Sequence, residues 1–333
     1  MPSIGILFFS GGILMFLIDL TNSVDNHKLY GGNAGFKRGI TIDGSNWIIK
    51  FPQETNGFKN VDISFTTSPL SEYIGSHIYQ ILGYKTQDTK LGFYHNEKYS
   101  RTQIVVICKD FTNEYTKLVD YESIKNNYSD DLQEKIIAIK NTLNKGNSLD
   151  VHSVPIEEVM LQFEENEIFK NNSYVKEYFW DMLVIDCIIN NNDRNKNNWG
   201  LLYNIKTDKY DIAPIYDNGA SFVSKHSDEK LANIMSSEAK MNNSVLNGMC
   251  YYSFDGEAVN FKNFFKKLRE SNMDKDLNDA IKRVIPNFKT HWNEIKNFIN
   301  NIPSEENNLK IISNIQKEFF IKSMDIRVNT LFN

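Results

Sequence analysis

Between Met15 and about Phe111 the apolar residues come in short runs divided by turns, at 16–20, 39–42, 47–51, 91–94 and 103–107, a pattern that predicts strands. Asp43-Gly44 lies between two of these runs and supplies the positive φ angles of a tight hairpin. One helix interrupts the strands. It starts at Ser68-Pro69, a capping residue followed by a proline suited to the first turn, and ends at Gly83. Leu70, Tyr73, Ile74, Ile78, Ile81 and Leu82 recur along it at helical spacing. Beyond about residue 120 the periodicity is helical, over 131–144, 155–170, 174–190, 257–271, 275–299 and 307–331. The stretch 174–189 is apolar on most sides and predicts a buried central helix that delivers the chain into Asn190-Asn191-Asn192-Asp193. After Trp199 the text GLLYNI, KTDK, YDIAPIYD predicts a second hairpin. The expectation is an α+β chain, with a strand-rich lobe over 15–111 followed by a helical lobe over 112–333.

The totals narrow this picture. A length of 333 residues accommodates two packed lobes, and 41% hydrophobic with 13% aromatic residues excludes global disorder. A net charge of -5 and a pI near 5.8 exclude a general nucleic-acid binder. The basic run 262–269 interleaves Lys with Phe as an amphipathic helix does and reads as a solvated face. Cys108, Cys187 and Cys250 are far apart and odd in number, and two lie among apolar neighbours, so they read as buried thiols suited to a cytoplasm. The six histidines show no ligand spacing, which leaves oxygen ligands for any metal. Residues 4–18 are apolar, yet shorter than the roughly 20 that cross a bilayer, and no Lys or Arg precedes them. No membrane association is expected. Because the text from Met15 already reads as a first strand, residues 1–14 are taken as an upstream extension; secretion or translocation stays open.

Phosphoryl transfer from ATP needs metal ions on the phosphates, a cationic anchor and a base that orients the attacking hydroxyl. Asp193 and Asn198 stand five residues apart, the spacing of a kinase catalytic loop in which the Asp is the base and the Asn binds Mg²⁺. A hairpin that leaves at Asn198 and returns brings Asp217 back beside it as a second oxygen ligand. Taken alone, an Asn/Asp cluster is also what a solvated loop of an asparagine-rich chain looks like. The joint pattern of buried helix, Asp-x-x-x-x-Asn, hairpin and returning Asp favours a site. Gly31, Gly32, Asn33 and Gly35 precede the first hairpin and would let N–H groups approach phosphate, though such a cluster is also an ordinary turn. Lys50 sits in a strand apolar on both faces, where an ammonium group is costly without an anion, and is the best phosphate anchor. Glu72, on the helix of the strand-rich lobe, is either its carboxylate partner or a charge favouring that helix's N-terminus. Backbone groups near Lys109 are placed to meet adenine.

The motifs WIIKFP, SEYIGSHIYQILGY, NNNDRNKNNWG and YDIAPIYDNGASF, in this order, resemble those of the HipA-like serine/threonine kinases over most of residues 30–222. The resemblance implies a two-lobed protein-kinase-like fold, ATP and Mg²⁺ as cofactors, a protein substrate and an antitoxin-type partner. It also implies Asp193 as base, Asn198 and Asp217 as Mg²⁺ ligands, Lys50 on the phosphates, and Lys109 and Phe111 at the adenine-binding hinge. Glu72 is carried over less firmly. Three departures stand out. Asn195 occupies the position of a common histidine, the stretch 31–39 has no Ser or Thr to serve as an inhibitory phosphorylation site, and there is no room ahead of Tyr30 for the N-terminal subdomain of full-size HipA toxins. The chain is thus similar to the shorter branch that includes the cell-translocating kinases. A small-molecule or lipid phosphotransferase and a non-catalytic nucleotide-binding module are the alternative readings.

Overall fold

The computed structural model describes residues 15–31, 36–59, 61–127, 129–143 and 153–332. The proposed upstream extension 1–14 lies outside them.

The strands β1 (Ile18–Asp19), β2 (Lys37–Ile42), β3 (Ser45–Lys50), β4 (Thr89–Asn96) and β5 (Arg101–Lys109) form one sheet in the order β1-β4-β5-β3-β2. Asp43 and Gly44, at φ 47° and 72°, close the β2–β3 hairpin as expected and set a register that pairs Ile42 with Ser45 and Lys37 with Lys50. Because side chains alternate across a strand, Ile40, Trp47, Ile49, Val105 and Ile107 bury one face in a small core of their own. Val106, Cys108 and Leu91 face the other way, toward α1 (Ser68–Ile81), and join the main core.

The remainder is mainly helical. In chain order it comprises β6 (Thr116–Asp120), α2 (Tyr121–Lys125), α3 (Asp130–Leu143), β7 (Val154–Pro155), α4 (Ile156–Glu165), α5 (Glu167–Lys170) and α6 (Tyr174–Ile189). Then come β8 (Gly200–Asn204), β9 (Lys209–Ile212), α7 (Asp228–Met235), α8 (Glu238–Leu246), β10 (Tyr252–Ser253), α9 (Phe261–Glu270) and α10 (Lys275–Asn301), and the short hairpin β11 (Glu305–Glu306) and β12 (Leu309–Lys310) leads into α11 (Asn314–Leu331). Every residue of α6 from 179 to 189 is buried, so this is the central helix that its apolar composition predicts. Its C-terminal carbonyls meet a cation: Arg327 of α11, 2% exposed, donates to the Ile188 carbonyl at 3.1 Å and to that of Val245 at 3.1 Å. Burial pushes the Arg327 pKa down to about 10. Cys108, Cys187 and Cys250 are buried and unlinked. Among the described residues no helix is long and apolar enough to cross a membrane.

Several element boundaries differ from expectation for local reasons. The predicted helix 155–170 breaks at Asn166, whose amide donates to the carbonyls of Ile124 and Asn127 while its oxygen accepts from the Ile168 N–H. Helix 257–271 starts only at Phe261, capped by Asn260. Helix 307–331 starts at Asn314, because Asn307 and Asn308 adopt φ 53° and 59° in the β11–β12 turn and Ser313 with Gln316 forms a capping box. The strand β6 and the helices α7 and α8 are additions. On α9 the basic run is an amphipathic helix as expected, with Phe261, Phe264, Phe265 and Leu268 buried.

Candidate active site

The loop after α6 is built by its asparagines. Asn190 ends the helix at φ 57°, a left-handed conformation that Asn tolerates, and the Asn191 N–H returns to the Asp186 carbonyl at 2.8 Å. Asn195 takes the place of the expected histidine, and its amide nitrogen donates to Asp193 Oδ1 at 3.0 Å while its oxygen accepts the Asn197 N–H at 2.8 Å. The Asn198 amide nitrogen donates to the Asp193 carbonyl at 2.7 Å, which leaves Oδ1 as its side-chain acceptor. The sequence motif is therefore a folded turn held together by its own side chains. Asp193 reaches solvent, yet the surrounding protein, and behind it the charge of Asp217, raises its pKa; Asn195 opposes the shift.

Asp217 returns as the hairpin predicts. β8 and β9 pair from Leu201 opposite Ile212 to Asn204 opposite Lys209, and the chain beyond is pinned by the Ile215 N–H on the Lys85 carbonyl at 2.8 Å and the Gln87 N–H on the Ile215 carbonyl at 2.9 Å. β8 also pairs with β6, where Gly200 is needed because an added Cβ would lie 2.2 Å from the Val119 carbonyl oxygen. Asp217, at φ 61°, presents Oδ1 to Lys50 Nζ at 3.0 Å, and the same ammonium meets Glu72 Oε2 at 3.1 Å. The Lys50 and Glu72 side chains are 16% and 2% exposed. Burial penalises the Lys50 ammonium, but Asp217 and then Glu72 outweigh it and hold its pKa well above the ordinary value. Burial would raise the Asp217 pKa, but Lys50, followed by Lys37, keeps it below the usual carboxylate range. Of the two readings of Glu72, the structure has the lysine partner. Glu72 Oε1 is buried without a hydrogen-bond partner among the described residues, an acceptor in excess at this cluster.

Lys37 is a cation the sequence reasoning missed. It lies directly opposite Lys50 in the β2–β3 register, a placement that the Asp43-Gly44 turn already dictates, and its Nζ donates to the Gly31 carbonyl at 2.9 Å. Gly32, Asn33 and Gly35 lie outside the described residues. At the C-terminal end of β5 the Lys109 N–H donates to the Asp88 carbonyl at 2.8 Å and the Lys109 carbonyl accepts from Gln87 Nε2 at 2.9 Å, so its backbone is engaged within the protein. The Phe111 ring packs on Tyr216, centroids 5.8 Å apart, one residue before Asp217.

The approach of α1 to this segment depends on Gly75, where an added Cβ would lie 2.8 Å from Asn218 Cβ. Gly75→Ala is expected to lower stability by about 1–3 kcal/mol, the usual overpacking cost, and to reduce activity by displacing Glu72 from Lys50. Denaturant unfolding and turnover measured on the same preparation check this; an unchanged midpoint with full activity refutes it.

A strand-rich lobe that carries a lysine–glutamate pair, set against a helical lobe that carries an Asp-x-x-x-x-Asn loop and a returning aspartate, defines the chain as a kinase-like α+β fold. No protein-family model matches the chain. It is 30% identical over 310 residues, 93% of this chain and 84% of the relative, to the serine/threonine-protein kinase CtkA of Helicobacter pylori. The crystal structure of the H. pylori proinflammatory kinase CtkA superposes with a TM-score of 0.76 at 28% identity, covering 95% of each chain. A chain of the Shewanella oneidensis complex of HipA, HipB and operator DNA is a looser likeness, with a TM-score of 0.49 at 11% identity over 91% of this chain and 66% of that one. The chain belongs to the family of serine/threonine-protein kinases represented by CtkA.

Proposed function

We propose that the chain transfers the γ-phosphate of ATP, in the presence of Mg²⁺, to serine or threonine hydroxyls of protein substrates, its own among them. The observation that carries this reading is the half-buried Lys50, bridging Glu72 of the strand-rich lobe and Asp217 of the helical lobe. In this reading residues 15–111 hold the nucleotide and 112–333 supply the catalytic loop. Lys50 binds the phosphates, oriented by Glu72. Gly31, Gly32, Asn33 and Gly35 are the further nucleotide-binding residues, while Phe111 and the neighbouring Lys109 border the adenine. Asp193 accepts the hydroxyl proton, and Asn198 Oδ1 and the Asp217 carboxylate hold the metal.

The residues present fit Mg²⁺. Among the described residues no three His, Cys, Asp or Glu side chains converge as a metal cage, and Mg²⁺ is typically held by one or two carboxylates with substrate phosphates and water. Asn198 and Asp217 offer such an oxygen pair, beside an unpartnered Glu72 oxygen. The bound ion would supply neutralisation of charge on the phosphoryl oxygens. The chain's own residues align Lys50, leave the Asn198 oxygen free and keep Asp193 as a proton acceptor.

The test is incubation with γ-labelled ATP, Mg²⁺ and a mixture of proteins. Label is expected on serine or threonine of protein, and chelation by EDTA is expected to abolish transfer, with Lys50→Met lowering it by at least about 10²-fold. Label confined to the small-molecule fraction, or transfer that survives EDTA, overturns the reading.

A further inference from the structure

The most heavily bonded group near the site touches neither metal nor nucleotide in the proposed arrangement. Arg194 is 1% exposed, and its guanidinium donates to Asp186 from Nε at 2.7 Å and from Nη2 at 3.0 Å. Nη1 donates to the carbonyl of Asn198 at 2.9 Å and to that of Tyr216, and Nη2 donates to Asn218 Oδ1 at 2.6 Å. One planar fork therefore grips Asn198 and the residues on both sides of Asp217. A guanidinium has the fixed donor geometry for this, and an ammonium does not.

The grip extends to the other lobe. Asp186, fully buried on α6, accepts from the Tyr79 hydroxyl of α1 at 2.8 Å and from Asn191 Nδ2 at 3.2 Å. The Asn218 amide donates to Ser76 Oγ of α1 at 3.0 Å. The helix that carries Glu72 is thus bonded to the same unit that carries Asn198 and Asp217. A buried ion pair is poor value as a stabiliser, since desolvation offsets most of its attraction and well-packed apolar residues serve as well or better. Its bonds here run to the three segments whose relative placement phosphoryl transfer requires.

We propose that Arg194, with Asp186 as its counter-ion, is a positioning residue that sets the spacing of Asn198 and Asp217 for a divalent cation. This rests on the reading of those two residues as metal ligands. The unit acts at one remove from the metal, where loss of a supporting bond commonly costs about 10- to 100-fold in metal affinity.

The test replaces the pair without leaving an unpaired charge, as Asp186→Leu with Arg194→Met, and measures Mn²⁺ binding by electron paramagnetic resonance in the presence of ADP, beside a thermal melt. A cooperative melt with Mn²⁺ affinity weakened about 10- to 100-fold is the expected result. A cooperative melt with unchanged Mn²⁺ affinity overturns the proposal. Should the double variant fail to fold, Arg194→Lys carries the same test, because it keeps the charge and loses the fork. Asp217→Asn is the control that separates the two levels: unchanged Mn²⁺ affinity there refutes the ligand reading itself, whereas weakened affinity there with none in the Arg194 variants refutes only the positioning role.

Discussion

Asp217→Asn is expected to lower turnover by about 10³-fold, the upper end of what removing one preorganised electrostatic group costs. The amide keeps the size and one acceptor oxygen of the carboxylate, so the contact to Lys50 Nζ at 3.0 Å can persist in weakened form. What disappears is the charge, and with it the main attraction that offsets the burial of Lys50. Glu72 still holds the ammonium, so the lysine remains cationic, and under the proposed metal-ligand role the loss falls on metal binding. The sign of the stability effect follows from linkage. The folded-state pKa of Asp217 lies below its unfolded value, so ionised Asp217 contributes stability that is fully present above the ordinary carboxylate pKa and lost as pH falls through the lowered one. The variant should therefore melt below the parent at neutral pH, with the gap closing on acidification. Turnover within tenfold of the parent, or a melting gap that widens toward acid, would count against this role.

How much of this site was legible depends on whether the chemistry was local. Lys50 could be read because a charged residue in a strand apolar on both faces demands an anion, and Asp217 because a hairpin must return to its origin. The asparagine at 198 became a candidate only through the joint pattern of buried helix, Asp-x-x-x-x-Asn spacing, hairpin and returning Asp, since the spacing alone also fits a solvated loop. Arg194 stood in the same motif, yet nothing local pairs it with Asp186, eight residues back across a helix end that turns only because Asn190 adopts a left-handed conformation. Lys37 was derivable from the turn and the register and was overlooked. In the fold, α6 and the first hairpin followed from composition and from Asp43-Gly44. β6 did not, since four half-buried residues and the exposed Lys117 acquire a strand's identity only from a partner some eighty residues onward. The start of α11 carried a usable signal in Ser313 and Gln316, masked by the apolar pair Ile311-Ile312 that extends the periodicity backwards.

Asp193→Asn is expected to separate activity from stability in opposite directions. Under its proposed role as proton acceptor, removing the carboxylate should lower turnover by about 10²- to 10⁴-fold, the range for loss of a general base. The folded-state pKa of Asp193 is raised, first because the surrounding protein displaces part of the water around this solvent-facing carboxyl and then by Asp217, with Asn195 pulling the other way. A carboxyl group with a raised folded pKa makes the fold lose stability as pH climbs from the ordinary carboxylate value through the raised one, because the folded state must give up a proton that it holds more tightly than the unfolded chain does. At neutral pH the parent carries that cost, and the neutral asparagine does not. The variant should melt at a higher temperature than the parent at pH 7, with the advantage shrinking toward acid. In the parent, kcat/KM should rise through an apparent pKa above the usual carboxylate value; in the variant that limb should be absent. A purely structural Asp193 would give the reverse pairing, activity and melting temperature falling together. Pre-steady-state phosphorylation and thermal melts across the same pH series distinguish the two, because misfolding cannot lower turnover while raising the melting temperature.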